Sequence, residues 1–243
     1  EIFVDFNGTG PEVPAGINVP YCYTYAFTAF AVKCITTPGL PNNNGSLRPL
    51  HVTAPKGCIL NAQPPAATGG RHAIGQFVPF GVWGALSQVM PERLASEMGM
   101  MNLVNFTGRD IEGKPFSTLC FSSGGFGGRA TLDGLNTTMG PTNILATSVE
   151  ALESTTGILV KRKELETDSG GPGLLRGGLG QRIDFQNRSA WPVVVACFAN
   201  RTSFPAVGYQ GGGPGALRAV LIEGKSIHPK GRHLLYPGEQ VLM

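Results

Sequence analysis

The chain is 243 residues long and carries a net charge of +3 from 19 basic and 16 acidic residues. That length suits one large domain or two small ones, and so weak a basic balance gives no argument for nucleic acid as a partner. Hydrophobic residues make up 42% and mean hydropathy is +0.04, which predicts a packed core and excludes global disorder.

Residues 1–7 alternate as a strand, with Ile2, Val4 and Phe6 on one face. Asn18 and Pro20 are placed to cap a helix. The run 21–35 that follows is so apolar that it predicts a helix buried all round, with Cys22 and Cys34 packed inside. Residues 42–45 read as a turn, 47–53 as a strand and 58–61 as a short strand. An amphipathic helix is expected over 74–90, ended by Pro91, which starts a second short helix bearing Leu94 and Met98. Residues 101–107 and 116–121 are expected as strands, in a meander or a long hairpin. Residues 143–155 are ambiguous between helix and irregular structure. Strands are expected at 157–160, 182–185 and 191–198, then a hairpin at 217–227, and strands at 232–236 and 240–243. The fold class is therefore α+β, β-rich and mixed. Helices fall in a first part, 1–100, and strands with glycine loops in a second, 101–243, the whole expected as one continuous core.

Three glycine-rich stretches punctuate the second part, at 124–128, 168–180 and 208–215. The middle one holds six glycines and a proline in thirteen residues, which rules out helix or central strand. It reads either as a long tight connection or as a pocket wall with Asp168 and Arg176 as polar handles. Gly124, Gly125, Gly127 and Gly128, with Arg129 beside them, could cradle an anion or make a structural turn. Neither a Walker A sequence nor a GxSxG elbow is present, and Ser122 and Ser123 have no evident base. Arg71 and His72 follow a double glycine at a helix start, where His72 could line a site. Asp5 and the Glu150/Glu153 pair are candidate oxygen ligands for a hard cation, against salt links or caps.

Charged residues are only 14%, against about a quarter in ordinary soluble domains. Part of the surface is thus expected to lie under a partner subunit or more of the same polypeptide. The five cysteines are odd in number and form no CxxC pair, which predicts buried thiols of a reducing compartment, taken as the cytoplasm. Residues 13–32 lack charge, but Pro14, Gly16, Asn18 and Pro20 interrupt them, so no membrane span is expected. Both ends read as strands under way, without initiator Met or basic leader, which suggests a fragment or processed chain.

Taken together, several of these stretches resemble the hydantoinase B/5-oxoprolinase family. They are Asp5-Phe6-Asn7-Gly8-Thr9 with Ile17-Asn18, and Val52-Thr53-Ala54-Pro55-Lys56-Gly57-Cys58-Ile59-Leu60-Asn61 with the prolines at 64 and 65. Gly124-Gly125-Phe126-Gly127-Gly128 with Asp133-Gly134, and Asn143 with Glu150, continue the likeness. Asp168-Ser169-Gly170-Gly171-Pro172-Gly173 with Arg176-Gly177-Gly178-Leu179-Gly180 carries it furthest, and Gly211-Gly212-Gly213-Pro214-Gly215 also fits. The likeness runs the whole chain in order.

The resemblance implies ATP-dependent hydrolysis of a cyclic amide such as a hydantoin, oxoproline or a lactam. In that scheme a hydantoinase A-like (A-type) partner carries the nucleotide site and phosphorylates the small-molecule substrate. The B-type subunit completes the reaction, often around a divalent metal. A ketone carboxylase subunit in the same fold is the alternative, and a non-catalytic assembly domain is a third. The family's aspartate- and histidine-bearing stretch lies upstream of residue 1. The closing glycine motif after Pro237-Gly238-Glu239 is missing, and Ser154-Thr155-Thr156 replaces a usual proline. The chain is thus expected to be a central-to-late segment that completes its site with an upstream portion of the same polypeptide. Asp168, Arg176, His72 and Arg71 are the expected catalytic residues and Asp5 the expected metal ligand.

Overall fold

Two stretches of parallel and antiparallel pairing, each with its own core, emerge in the computed structural model, which describes residues 1–142 and 144–243. Asn143 lies outside the described residues. The fold is α+β and divides into two compact units, Glu1–Leu94 and Ala95–Met243.

In the first unit β1 (Ile2–Asp5) is followed by α1 (Tyr21–Thr36), the short α2 (Asn44–Leu47) and β2 (Leu50–Thr53). Strands β1 and β2 pair in parallel, Ile2 opposite Leu50 and Asp5 opposite Thr53, so α1 lies in the crossover that parallel pairing demands. Two further helices, α3 (His72–Gly75) and α4 (Val78–Leu86), complete the unit. Helix α1 rests on α4 through Trp83, whose Nε1 donates to the Ala31 carbonyl at 3.0 Å. Phe80 meets Trp83 edge-on at 5.4 Å.

Several expectations are corrected here. Helix α1 is buried on one face only, through Thr24, Thr28, Ala29, Ala31, Val32 and Ile35. Its apolar residues exceed what one neighbour can cover, and Cys22 and Cys34 lie exposed. Asn18 does not cap α1. It is fully buried and ties the preceding loop together instead, donating to the carbonyls of Val13, Ala15 and Ala67 and accepting from the Val13 N–H. The expected turn at 42–45 runs into α2, because Asn43 and Ser46 form a reciprocal capping box. The expected strand at 58–61 is a turn with a single bridge, Pro11 to Cys58. The helix over 74–90 is broken in two. Pro79 has no N–H to offer the preceding turn and starts a new helix.

Maleimide labelling of the native protein is therefore expected to modify Cys22 and Cys34. Cys58, Cys120 and Cys197 should stay protected until denaturation. Burial pushes the Cys120 and Cys197 thiols up to about 11, which lowers their thiolate fraction further. Cys34 is also raised by its surroundings and should react more slowly than an unhindered thiol. Counting labelled sites by mass spectrometry decides the matter.

The second unit is built on two antiparallel sheets. β3 (Met101–Arg109) and β4 (Pro115–Ser123) make the expected hairpin. After α5 (Val149–Thr155) come β5 (Ile158–Leu165), β6 (Gln181–Asn187) and β7 (Val193–Phe198). The short β8 (Leu221–Ile222) and β9 (Lys225–Ser226), then β10 (Arg232–Leu235) and β11 (Gln240–Leu242), close the chain. One sheet has the order β10-β7-β3-β4 and the other β5-β6-β11-β8-β9. Their buried faces share one core of Val104, Phe106, Val193 and Val195 with Ile158, Ile183, Phe185 and Val241. Phe106 and Phe185 meet edge-on at 5.0 Å, joining the sheets. Helix α5 is capped by Ser148, which accepts the Ala151 N–H, and sinks Leu152 into this core. Of its two glutamates, Glu153 accepts the Val160 N–H at 2.8 Å and so serves structure.

Candidate functional site

The three glycine stretches meet within the second unit, and main chain touches main chain there. Gly178 N–H donates to the Phe126 carbonyl at 2.8 Å, and Gly213 N–H to the Pro172 carbonyl at 2.7 Å. Ala216 N–H donates to the Ser169 carbonyl at 3.0 Å. The turn at 133–137 is stitched in as well: Phe126 N–H donates to Leu135, Gly134 N–H to Arg176 and Thr137 N–H to Leu179. Two side chains reinforce it, Asp133 accepting the Arg176 N–H and Asn136 the Leu179 N–H, both at 2.8 Å. The approach at Gly125 is so close that a Cβ there would overlap the Gly178 carbonyl, and one at Gly178 would overlap Leu135. Glycine is required there for space. The result is a surface lined by backbone and held in a fixed shape.

Asp168 and Arg176 belong to this surface, and both are exposed. Asp168 sits at φ 57°, in the left-handed region, a strained conformation that the surrounding loop must hold. Among the described residues it accepts no hydrogen bond, so it does not cap the glycine amides that follow it. Arg176 is fixed through its backbone, and among the described residues its guanidinium makes no ion pair. Gly124 and Gly127 are buried, while Gly125 and Gly128 are half-buried against the Gly178 and Leu175 carbonyls of the middle stretch. Arg129 bends back, its Nε donating to the Asp133 carbonyl at 2.9 Å.

His72, Arg71 and Asp5 belong to the first unit. His72 opens α3, and burial followed by the nearby Arg71 charge lowers its pKa, leaving the imidazole neutral at pH 7. Arg71 lies over the Tyr23 ring at 5.8 Å. Asp5 is exposed, and its Oδ1 accepts the Asn7 N–H at 3.0 Å and the Thr53 hydroxyl at 2.7 Å. Among the described residues no three His, Cys, Asp or Glu side chains come together to hold a metal ion. The described residues do not by themselves supply a ligand set for a divalent metal. No helix among the described residues is long and apolar enough to cross a membrane.

Arg218 escapes a reading of the sequence. It follows the third glycine stretch by three residues and reaches back across 96 positions, donating from Nη2 to the Ser122 hydroxyl at 3.1 Å. A basic residue set among Leu217, Ala219 and Val220 was the available signal. Elsewhere in the unit a cavity of about 270 Å³ is lined by Arg182, Asp184, Leu221, Glu223 and Gln240. Its main charges are already paired, Arg182 to Asp184 at 3.2 Å.

Comparison with known proteins follows the same lines. An uncharacterized protein of Methanocaldococcus jannaschii is 35% identical over 97% of this chain, and the chain spans 42% of that relative's length. The crystal structure of an ATP-dependent caprolactamase from Pseudomonas jessenii matches with a TM-score of 0.75 and 24% identity. The match covers 97% of this chain and 44% of the caprolactamase chain. A nucleotide-free acetone carboxylase structure matches with a TM-score of 0.82 and 15% identity, covering 99% of this chain and 38% of the carboxylase chain. These two likenesses establish the fold. The sequence profile described as hydantoinase B/oxoprolinase matches residues 1–243, so the chain belongs to the hydantoinase B/oxoprolinase family.

Proposed function

We propose that this chain forms part of a B-type subunit that completes the ATP-dependent ring opening of a cyclic amide in the cytoplasm. The substrate would arrive phosphorylated by an A-type partner, and an upstream portion of the same polypeptide would complete the site. Family membership along the whole chain is the observation that carries this reading. The likeness to an ATP-dependent caprolactamase supports it.

In this reading water adds to the ring carbon that bears the phosphorylated oxygen, and negative charge grows on the oxygen it brings as its proton is lost. The carbon–nitrogen bond then breaks with the nitrogen leaving as the protonated amine, and a second water splits the resulting acyl phosphate into carboxylate and inorganic phosphate. Amides of the glycine surface at Gly125, Gly127 and Gly128, with Arg129 and Arg176, would stabilise that growing charge; the Gly124 amide is already given to the Met100 carbonyl at 3.0 Å. Asp168 would orient the substrate's polar edge. His72, held neutral beside Arg71, has the protonation state of a proton acceptor. Asp5 would supply one carboxylate to a metal whose remaining ligands come from outside this chain, and no step is assigned to that metal.

The fold likeness to acetone carboxylase supports a second reading, carboxylation of a ketone. One experiment separates the two. The full-length protein, purified with its associated subunits, is given ATP with caprolactam, hydantoin or 5-oxoproline, or with acetone and bicarbonate. Ring-opened acid formed in step with ATP turnover is the expected result. ATP turnover that depends on bicarbonate would transfer the assignment to the carboxylase. No turnover with either set would leave an assembly role.

A further inference from the structure

Strand β4 ends in Ser122 and Ser123, each 1% exposed. Arg218 is fixed above them, its N–H donating to the Arg201 carbonyl at 2.9 Å and its Nη2 to Ser122 Oγ. Its Nη1 is enclosed and meets no acceptor among the described residues, and the same holds for Ser123 Oγ. Among the described residues no carboxylate pairs with Arg218. Burial pushes the guanidinium down to about 10, which still leaves it cationic at neutral pH. A cation enclosed with only neutral hydroxyls beside it is costly unless an anion compensates it.

The walls are suited to a ligand. Gly124 and Gly125 follow the serines, and Gly124 lies so close to the Gly99 main chain that a Cβ there would overlap it. Gln181 borders the far side, its Nε2 donating to the Ser123 carbonyl at 3.4 Å. Arg218 as a whole residue is half-buried, with its Nη1 enclosed. A fixed positive charge with a planar fork and two hydroxyls is the donor set that matches a planar or tetrahedral oxyanion.

We propose that Arg218, Ser122 and Ser123 form an oxyanion-binding pocket that takes the phosphoryl or carboxylate group of a small molecule.

The test uses the full-length protein with its associated subunits. Binding of inorganic phosphate and of acetate is measured by titration calorimetry and by thermal unfolding at constant ionic strength. The wild type is expected to bind one of them saturably, phosphate if the ligand is phosphorylated and acetate if it is a carboxylate. R218Q should weaken that binding about tenfold or more, the value of a charge-assisted hydrogen bond. S123A should weaken it several-fold, R218K should fall between, and K225Q on an exposed strand should leave it unchanged. If R218Q does not fold, S123A and R218K carry the readout. Saturable binding that R218Q and S123A leave intact, or none in the wild type, overturns the proposal. Binding is read without turnover, so the pocket stands or falls apart from the reaction proposed above.

Discussion

Gly125→Ala is expected to destabilise the protein by about 3 kcal/mol or more, measured by urea denaturation against the wild type. The added Cβ would overlap the Gly178 carbonyl and crowd the main chain at Leu179. Overpacking of side chains costs about 1–3 kcal/mol because rotamers can give way. Here both partners are backbone, and backbone pinned on either side. Gly125 accepts the Gly99 N–H at 2.9 Å, and Gly178 donates to Phe126 at 2.8 Å. Relief of the clash must break one of these bonds and shift the glycine surface. Against a total stability of about 5–15 kcal/mol, that is enough to reduce the yield of folded protein. Gly10→Ala is the control: a Cβ there meets nothing within 4 Å and its φ is ordinary, so a change within about 0.5 kcal/mol is expected. Equal effects at the two positions would mean that the loops are not locked together.

What could be read from the sequence was local. The β3–β4 pair declared itself through two strand runs parted by a polar, glycine-bearing connection, and it pairs Met101 with Ser123 through Arg109 with Pro115 as one unbroken ladder. The run at 193–195 announced β7 in the same way. The sheet orders did not show, because β7 joins β3 and β11 joins β6 across long separations that leave no periodic trace. Helix α1 was misjudged for a related reason. Apolar content tells how much surface a helix could bury, and only tertiary packing tells how much it does. The glycine stretches were recognisable as non-helical connections, but their mutual contact rests on carbonyl oxygens and amides, which every residue has. Arg218 was hidden because its meaning depends on Ser122, 96 positions away.

Arg176→Ala is expected to lower turnover by about 10²–10³-fold, the cost of removing one donor to a developing oxyanion, while leaving the unfolding midpoint unchanged. The side chain is exposed and makes no ion pair among the described residues, so its loss removes no structural contact. The backbone bonds that hold its loop, Arg176 N–H to Asp133 and Gly134 N–H to the Arg176 carbonyl, survive the substitution. Asp168→Asn isolates the second handle, since asparagine tolerates the left-handed φ of 57° and removes only the charge. If Asp168 orients substrate through its charge, the variant raises KM or lowers kcat with stability intact. Steady-state kinetics of both variants in the intact complex, beside their denaturation curves, separate chemistry from architecture. Should Arg176→Ala keep full turnover and lose stability, the guanidinium belongs to the scaffold, and the donors for the growing charge must be sought among the glycine amides themselves.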